Sequence, residues 1–533
     1  MTRTQRFTLA ATGLGLFMIY LDALIVNVAL PSIQRDFSVG EAGLQWVVAA
    51  YSLGMAIAIM SAGTLADLHG RRRIYLIGIA LFTAASIACG LAPSLGVLNL
   101  ARAVQGVAAA TVNVTSLALV SAAFPDPKLK SWAIGIWTAI ASTALAIGPT
   151  LGGFLVQRAG WRVIFLVNVP VGLAVLVLTR RFVQESRDER PRTFDLPGQL
   201  LFVAAVGAFA YAVIGGPRNG WRSAETLGLF AIAAVALALF IVLERRSADP
   251  MMDLTLFRDK TYSLSIVTIF AVLFAVYGML LVVTQLFQNV RGYTPTQAGL
   301  LLLPYSLTVT LVSLRVGKLV PVLGARRLIL LGIVSQMVGF SVMIAGMAGS
   351  TAVVVVGLVF SATGSGLCLT PITSLAMTSV PAERAGMASG IMSAQRALGS
   401  TVGFAVLGSV LAASLTATLS AHLAAALPDD TERREVADAI IGSANPRAYA
   451  AEIGPGRPIR HESAATERAI LEAADEDFVE GIRISLASAI VVLALVLLAG
   501  LRWFPKGTGG MADARREAGT IEAEESRKAV PEV

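Results

Sequence analysis

The chain has 533 residues, 56% of them hydrophobic and only 14% charged, with a formal net charge of +8. That is too apolar for a soluble protein of this length, and the Lys and Arg residues sit in short clusters between apolar runs, as topology signals do, rather than along a nucleic-acid-binding face. Two cysteines, Cys89 and Cys368, and three scattered histidines give no metal-ligand spacing, so neither a metal nor a cofactor is expected.

The first apolar run, Phe7 to Pro31, makes ~36 Å of helix, enough to cross the ~30 Å hydrocarbon core of a bilayer. It contains Asp22. A carboxylate at that depth is costly unless it faces a partner or a wet cavity, which makes Asp22 a functional-site residue; the plain alternatives are a protonated Asp bonded to a neighbouring helix or one hydrated at the outer interface. Arg3 and Arg6 precede the run. Its length, Asp22 and its ending at Leu30 and Pro31 nonetheless indicate a retained span and not a signal peptide.

Thirteen further runs are long enough to span: 43–62, 74–93, 95–121, 131–156, 163–181, 196–215, 225–243, 262–286, 297–320, 327–347, 350–374, 387–415 and 481–501. The even total puts both termini on one side. With that side cytoplasmic, the inner loops hold Arg71–Arg73, Lys128, Lys130, Arg180 to Arg192, Arg245 to Lys260, Lys318, Arg326, Arg327 and Arg384. The short outer loops hold only Arg35, Arg158, Arg162, Arg218, Arg222 and Arg291, so the positive-inside rule fixes the orientation. An acidic outer loop, 416–480, has ends that read as helical and a flexible middle around Gly454-Pro455-Gly456. The polar tail 506–533 reads as disordered.

The two halves repeat. Gly63, Leu65, Gly70, Arg72, Arg73, Leu76 and Gly78 recur in the same spacing as Gly317, Leu319, Gly324, Arg326, Arg327, Leu330 and Gly332. The expected fold is therefore an all-α membrane protein of 14 transmembrane helices: a six-helix bundle over 1–185, a linker with spans 7 and 8 as an inserted hairpin over 186–261, and a second six-helix bundle over 262–505. Parallel repeats with a site between the halves are what a rocking transporter requires.

Gly63, Asp67, Gly70 and Arg71 form a tight turn between spans 2 and 3, in which Asp67 can sit at the N-terminus of a neighbouring helix. This Gly-x-Leu-x-Asp-x-x-Gly-Arg-Arg form resembles the signature loop of the major facilitator superfamily, which implies a conformational latch at Gly63, Asp67, Gly70 and Arg71. The second copy has Pro321 in place of the Asp, which sets it apart from a symmetric latch. Leu98, Arg102, Gln105 and Gly106 resemble the superfamily's fourth-span motif, whose Arg is associated with proton coupling. Arg102 lies nine residues past Pro93 and Asp22 nine before Pro31. Both are thus roughly 14 Å from the outer boundary, so a contact between them is open to them; a static strut bonded to backbone carbonyls is the other reading of Arg102.

In span 5, Ala144, Gly148, Pro149, Gly152 and Gly153 give a small-residue, bendable packing face. Their Gly-Pro-x-x-Gly-Gly form is similar to the antiporter branch. With the stretches Leu21 to Pro31, Trp161 to Pro170, Ala298 to Pro304, Pro250 to Arg258 and Pro381 to Arg396, residues 5–505 resemble the drug:proton antiporter-2 family. The resemblance implies proton-driven export of amphiphilic antibiotics, tetracycline and spectinomycin among them, across the cytoplasmic membrane by a monomer with both termini inside. Composition and spacing alone reach only a secondary transporter. The absence of a Gly-x-x-x-x-Gly-Lys-Ser/Thr loop excludes nucleotide hydrolysis as its motor.

Polar residues suited to a drug cavity are Asn27, Gln45, Tyr51, Gln105, Asn113, Tyr277, Gln285 and Gln395. Each could equally bond a neighbouring helix. Arg396 is a second buried cation with no carboxylate deep in spans 9–14; Asp22, backbone carbonyls and substrate are all open as its partner. Arg315 is expected to snorkel to the inner surface. An exporter of an endogenous metabolite, lipid or siderophore, or a non-transporting scaffold, remains open on these residues alone.

Overall fold

In hydrocarbon every backbone N–H and C=O must be paired within its own segment, so apolar runs of this length fold as helices. The computed structural model describes residues 1–187, 195–247, 250–347, 349–380, 385–425 and 464–504, with isolated positions between 427 and 440. The middle of the acidic loop and the tail 506–533 lie outside the described residues. The long helices are α1 (Arg3–Phe37), α2 (Glu41–His69), α3 (Arg71–Gly90), α4 (Leu95–Ala123) and α5 (Pro127–Ala159), followed by the broken pair α6 (Val163–Leu166) and α7 (Asn168–Phe182). Then come α8 (Leu196–Asn219), α9 (Ala224–Arg246), α10 (Lys260–Gln285), α11 (Pro295–Leu323), α12 (Ala325–Gly346), α13 (Thr351–Thr378), α14 (Ala385–His422) and α15 (Ala464–Trp503).

Local sequence sets the helix starts. Thr2, Ser94, Asp126, Asp195, Ser223, Asp259 and Thr294 each accept a backbone N–H from the first turn that follows. The repeat has a matching backbone: α2 and α3 join at Gly70 with φ of 97°, α11 and α12 at Gly324 with φ of 79°. A side chain is strained at those angles, so glycine in both copies is a requirement of the turn.

Among the described residues, 12 helices are long and apolar enough to cross a membrane, or up to 13 if α2, bent by 52° near Met60, counts as one span. This is short of the fourteen expected. The thirty-three-residue α5 is the remaining helix of comparable length.

Helices α1 to α7 pack together chiefly through α2 on α4, α1 on α5, and α3 on α4 and α7. Helices α10 to α15 form a second group through α12 on α13, α10 on α14, and α15 on α10, α12 and α14. The groups meet along two seams, α5 against α11 and α2 against α14, with α8 laid over the second seam and touching both of its helices. Both seams are seen at the end opposite the arginine-rich turns, where Gly153 faces Pro295 and Gly408 faces Gln45.

Helices α14 and α15, of 38 and 40 residues, are each ~57–60 Å long and overshoot a bilayer. In their overhang Leu419, Ile470 and Phe478 are buried in the apolar core, and His422 Nδ1 lies 2.7 Å from Asp477 Oδ1. The ends of the acidic loop are thus helical, as expected.

Candidate functional site

The chemistry gathers around Asp22, which has no solvent exposure. Arg102 Nη1 donates to its Oδ2 at 2.5 Å, and Gln105 Nε2 and Asn168 Nδ2 donate to its Oδ1 at 2.9 and 2.8 Å. Behind them, Ser86 Oγ accepts from Gln105 at 2.8 Å and from Asn168 at 3.3 Å. One carboxylate is held by three donors from two other helices.

Arg102 is as deeply sealed as its partner. Its Nε donates to the carbonyl of Val47 at 3.1 Å, its Nη1 also reaches Gln105 Oε1 at 2.8 Å, and its Nη2 has no partner. The guanidinium lies 4.3 Å from the centre of the Tyr51 ring and 5.6 Å from that of Phe165, so two aromatic faces supply the remaining contact. Local packing allows this reach. A Cβ on Gly106 would stand 2.0 Å from the carbonyl oxygen of Tyr51, so only glycine lets α4 lie close enough to α2 for Arg102 to meet Val47.

The seam residues of span 5 are where their small size is used. A Cβ on Gly153 would stand 2.3 Å from Pro295 O, and one on Gly299 2.3 Å from Pro149 O. Thr296 Oγ1 donates to Gly153 O at 3.1 Å and Thr150 Oγ1 to Gly299 O at 3.4 Å, while Gly148 and Gly152 face Leu24 and Ile25 of α1. The face formed by Gly148, Pro149, Gly152 and Gly153 therefore packs α5 between α1 and α11.

A scan against family models matches residues 12–404 to the Major Facilitator Superfamily. The chain belongs to the major facilitator superfamily. It is similar to the multidrug resistance protein Stp of Mycobacterium tuberculosis, with 63% identity over 506 residues, 95% of this chain and 93% of that one. It is also similar to the drug efflux pump JefA of the same organism, with 44% identity over 95% of this chain and 99% of that one. Among solved structures, a bacterial homolog to the human lysosomal transporter Spinster, inward-facing and unoccupied, shares the fold. The match has a TM-score of 0.60 at 17% identity and covers 95% of this chain and 100% of that one. As a member of this superfamily the chain is a multi-pass membrane transporter and not an enzyme.

Other expected site residues fall in different places. At the turn between α2 and α3, Asp67 pairs with Arg71, four residues on across the Gly70 break, at 2.8 Å, and among the described residues it does not cap a neighbouring helix. The cap is Glu185, after α7: its carboxylate accepts from the N–H groups of Arg72 at 2.9 Å and Arg73 at 3.1 Å, and crowds Gly70. Gly63 lies near Val114 of α4.

Of the polar residues proposed for the cavity, Gln105 and Tyr51 belong to the Asp22–Arg102 shell, and the Tyr51 hydroxyl donates to Ile19 O at 3.0 Å. Asn27, Gln45 and Gln285 are buried, and Gln45 lies against Gly408 of α14. Asn113, Tyr277, Gln395 and Arg396 keep partial exposure. Asn113 Nδ2 donates to the Tyr20 hydroxyl at 3.4 Å, and the Tyr277 ring lies 5.9 Å from that of Phe404. Arg396 Nη2 donates to Thr373 Oγ1 at 2.7 Å and its Nε has no partner, so Asp22, held by Arg102, is not its counter-ion. Arg315 is exposed, as a snorkelling side chain would be.

Sequence reasoning missed Asn168, Ser86 and Glu185. Asn168 stood in a stretch singled out only for its family form; an amide at the break between α6 and α7 was the available signal, since a polar side chain inside a span needs a partner. Nothing in the pattern around Glu185 marks it.

Proposed function

We propose that the chain is a proton-coupled antiporter that exports amphiphilic drugs, tetracycline and spectinomycin among them, across the cytoplasmic membrane. Fourteen spans in two six-helix bundles, 1–185 and 262–505, with the 186–261 hairpin between them, both termini cytoplasmic and a monomeric unit, complete the reading. The names of two relatives that align over nearly the whole chain, one for multidrug resistance and one for drug efflux, support the substrate class. The observation that carries the coupling is the sealed Asp22, held by three donors from two neighbouring helices of the same group.

In the arrangement described, Asp22 is the acceptor of all three bonds, the pattern of an ionised carboxylate. A proton can reach Oδ2 only if Arg102 withdraws. Opening of the seams at α5–α11 and α2–α14 would expose Asp22 to the outside, where it takes up a proton while drug leaves. Arg102 keeps Val47 O, Gln105 Oε1 and the Tyr51 face in the absence of the charge. Return to the inward-facing state restores the Arg102 bond and expels the proton inward, with the Asp67–Arg71 turn and the Glu185 cap as the latch. Drug and proton each shift the two-state equilibrium only by their differential affinity for its two sides. Asn113, Tyr277, Gln395 and Arg396 are the polar groups assigned to the drug.

The test is substrate-induced proton release from proteoliposomes. Tetracycline should evoke release with the unmodified protein and none with Asp22→Asn. Full proton-dependent efflux by Asp22→Asn would remove the coupling role, and a panel of drugs without effect would redirect the search to an endogenous metabolite or lipid.

A further inference from the structure

Away from Asp22, the arginine-rich end of the hairpin holds a pair of carboxyl groups that the transport reading does not use. Asp195 is the N-cap of α8: its Oδ1 accepts from Gly198 N at 2.9 Å, and its Oδ2 has no hydrogen-bond partner among the described residues. Glu244, in the last turn of α9, is 3% exposed; its Oε2 accepts from Met252 N at 2.9 Å, and its Oε1 has no hydrogen-bond partner among the described residues. The two unpartnered oxygens face the same spot. A Cβ on Gly198 would stand 2.3 Å from Asp195 Oδ2 and 2.9 Å from Glu244 Oε1, so glycine leaves room for the two carboxyl groups to meet.

Two ionised carboxylates offer each other only lone pairs, and burying them face to face is a like-charge conflict. One proton removes it. Position decides which group carries that proton. Asp195 caps a helix N-terminus, where negative charge is favoured, whereas Glu244 sits at a helix C-terminus, where it is disfavoured. Among the described residues, the charged group beside Glu244 is Asp195, across Gly198, and the segment after α9 contributes the Met252 N–H. Arg245, Arg246, Arg258 and Lys260 are exposed.

We propose that Asp195 and Glu244 form a second proton-binding site, separate from Asp22, in which Glu244 holds a proton and donates it to Asp195 Oδ2. The site closes the hairpin at its arginine-rich end. Next to it, Gln199 Nε2 donates to Ile57 O of α2 at 2.7 Å and Ser61 donates to Gln199 Oε1, while Asp253 N contacts Met387 Sδ of α14 at 3.0 Å. Loss of the proton would therefore drive apart a junction that touches α2 and α14 together, the two sides of one seam.

The test needs no transport, so it stands apart from the fate of the antiport reading. For the purified full-length protein in detergent, thermal stability is followed from about pH 5 to about pH 9. The folded state binds one proton more than the unfolded chain over part of that range, so stability should fall as pH rises. Glu244→Gln should flatten that fall, because its amide donates to Asp195 Oδ2 at every pH; Glu244→Ala should lose the tie at every pH. Infrared difference spectra should show a protonated-carboxyl band that survives Asp22→Asn and disappears in Glu244→Gln. The proposal is overturned if that band is unchanged in Glu244→Gln, if the pH slope is the same in both proteins, or if added sodium, potassium or magnesium ion restores stability at alkaline pH, which would mark a metal-cation site.

Discussion

Arg102 Nη1 stands 2.5 Å from Asp22 Oδ2 with both side chains at zero exposure, and the bond joins α4 to α1 in the heart of the first group of helices. A buried ion pair of this kind adds little net stability over apolar neighbours, but removing one partner strands the other. Asp22→Ala should destabilise the protein by about 3–5 kcal/mol. The double variant Asp22→Leu with Arg102→Met should regain most of that in a detergent melting experiment while transporting nothing. A double variant no more stable than Asp22→Ala would show that the pair is needed for the fold itself.

Asn168 supplies one of the two donors to Asp22 Oδ1 from the break between α6 and α7. Hydrogen bonds to charged groups contribute about 1.5–3 kcal/mol. Asn168→Ala should lower thermal stability by that order and slow drug-stimulated proton flux, while equilibrium drug binding stays close to normal. Flux equal to the unmodified protein would place Asn168 outside the coupling machinery.

The α5–α11 seam leaves no space for a side chain at Gly153 or Gly299, each of whose Cβ atoms would fall 2.3 Å from a backbone oxygen. Valine at either position should hold that end open and shift the conformational equilibrium, leaving each group of helices folded. Spin labels placed across the seam would report it as a longer distance. An unchanged distance distribution would mean that the seam yields by some other adjustment.

At the turn between α2 and α3, Glu185 binds two backbone N–H groups of α3, whereas Asp67 binds the neighbouring Arg71 side chain. Losing a capping carboxylate typically costs ~1 kcal/mol, and a partly exposed ion pair contributes less. Glu185→Ala should therefore lower the melting temperature more than Asp67→Asn. The reverse order would mean that Asp67 finds its main partner in the other conformational state.

Much of this arrangement was legible in residue order alone. Apolar run length fixes helices in a membrane because lipid offers backbone groups no alternative partner, and a strict glycine repeat marks equivalent turns because only glycine tolerates φ of 97° or 79° there. Even the meeting of Asp22 with Arg102 was foreseeable, since helical rise converts position in the chain into depth, and equal depth allows contact. Depth says nothing about azimuth. Which face of a helix meets which neighbour is set by packing among elements far apart in the chain. Only the tertiary structure could therefore decide that Asn168 and Ser86 complete the carboxylate's shell, that Glu185 caps α3, and that Gln45 is buried against Gly408 of α14. The same reason hides Glu244 from Asp195 in the sequence: a hairpin of two helices separates them, and only its closure brings both carboxyl groups over one glycine.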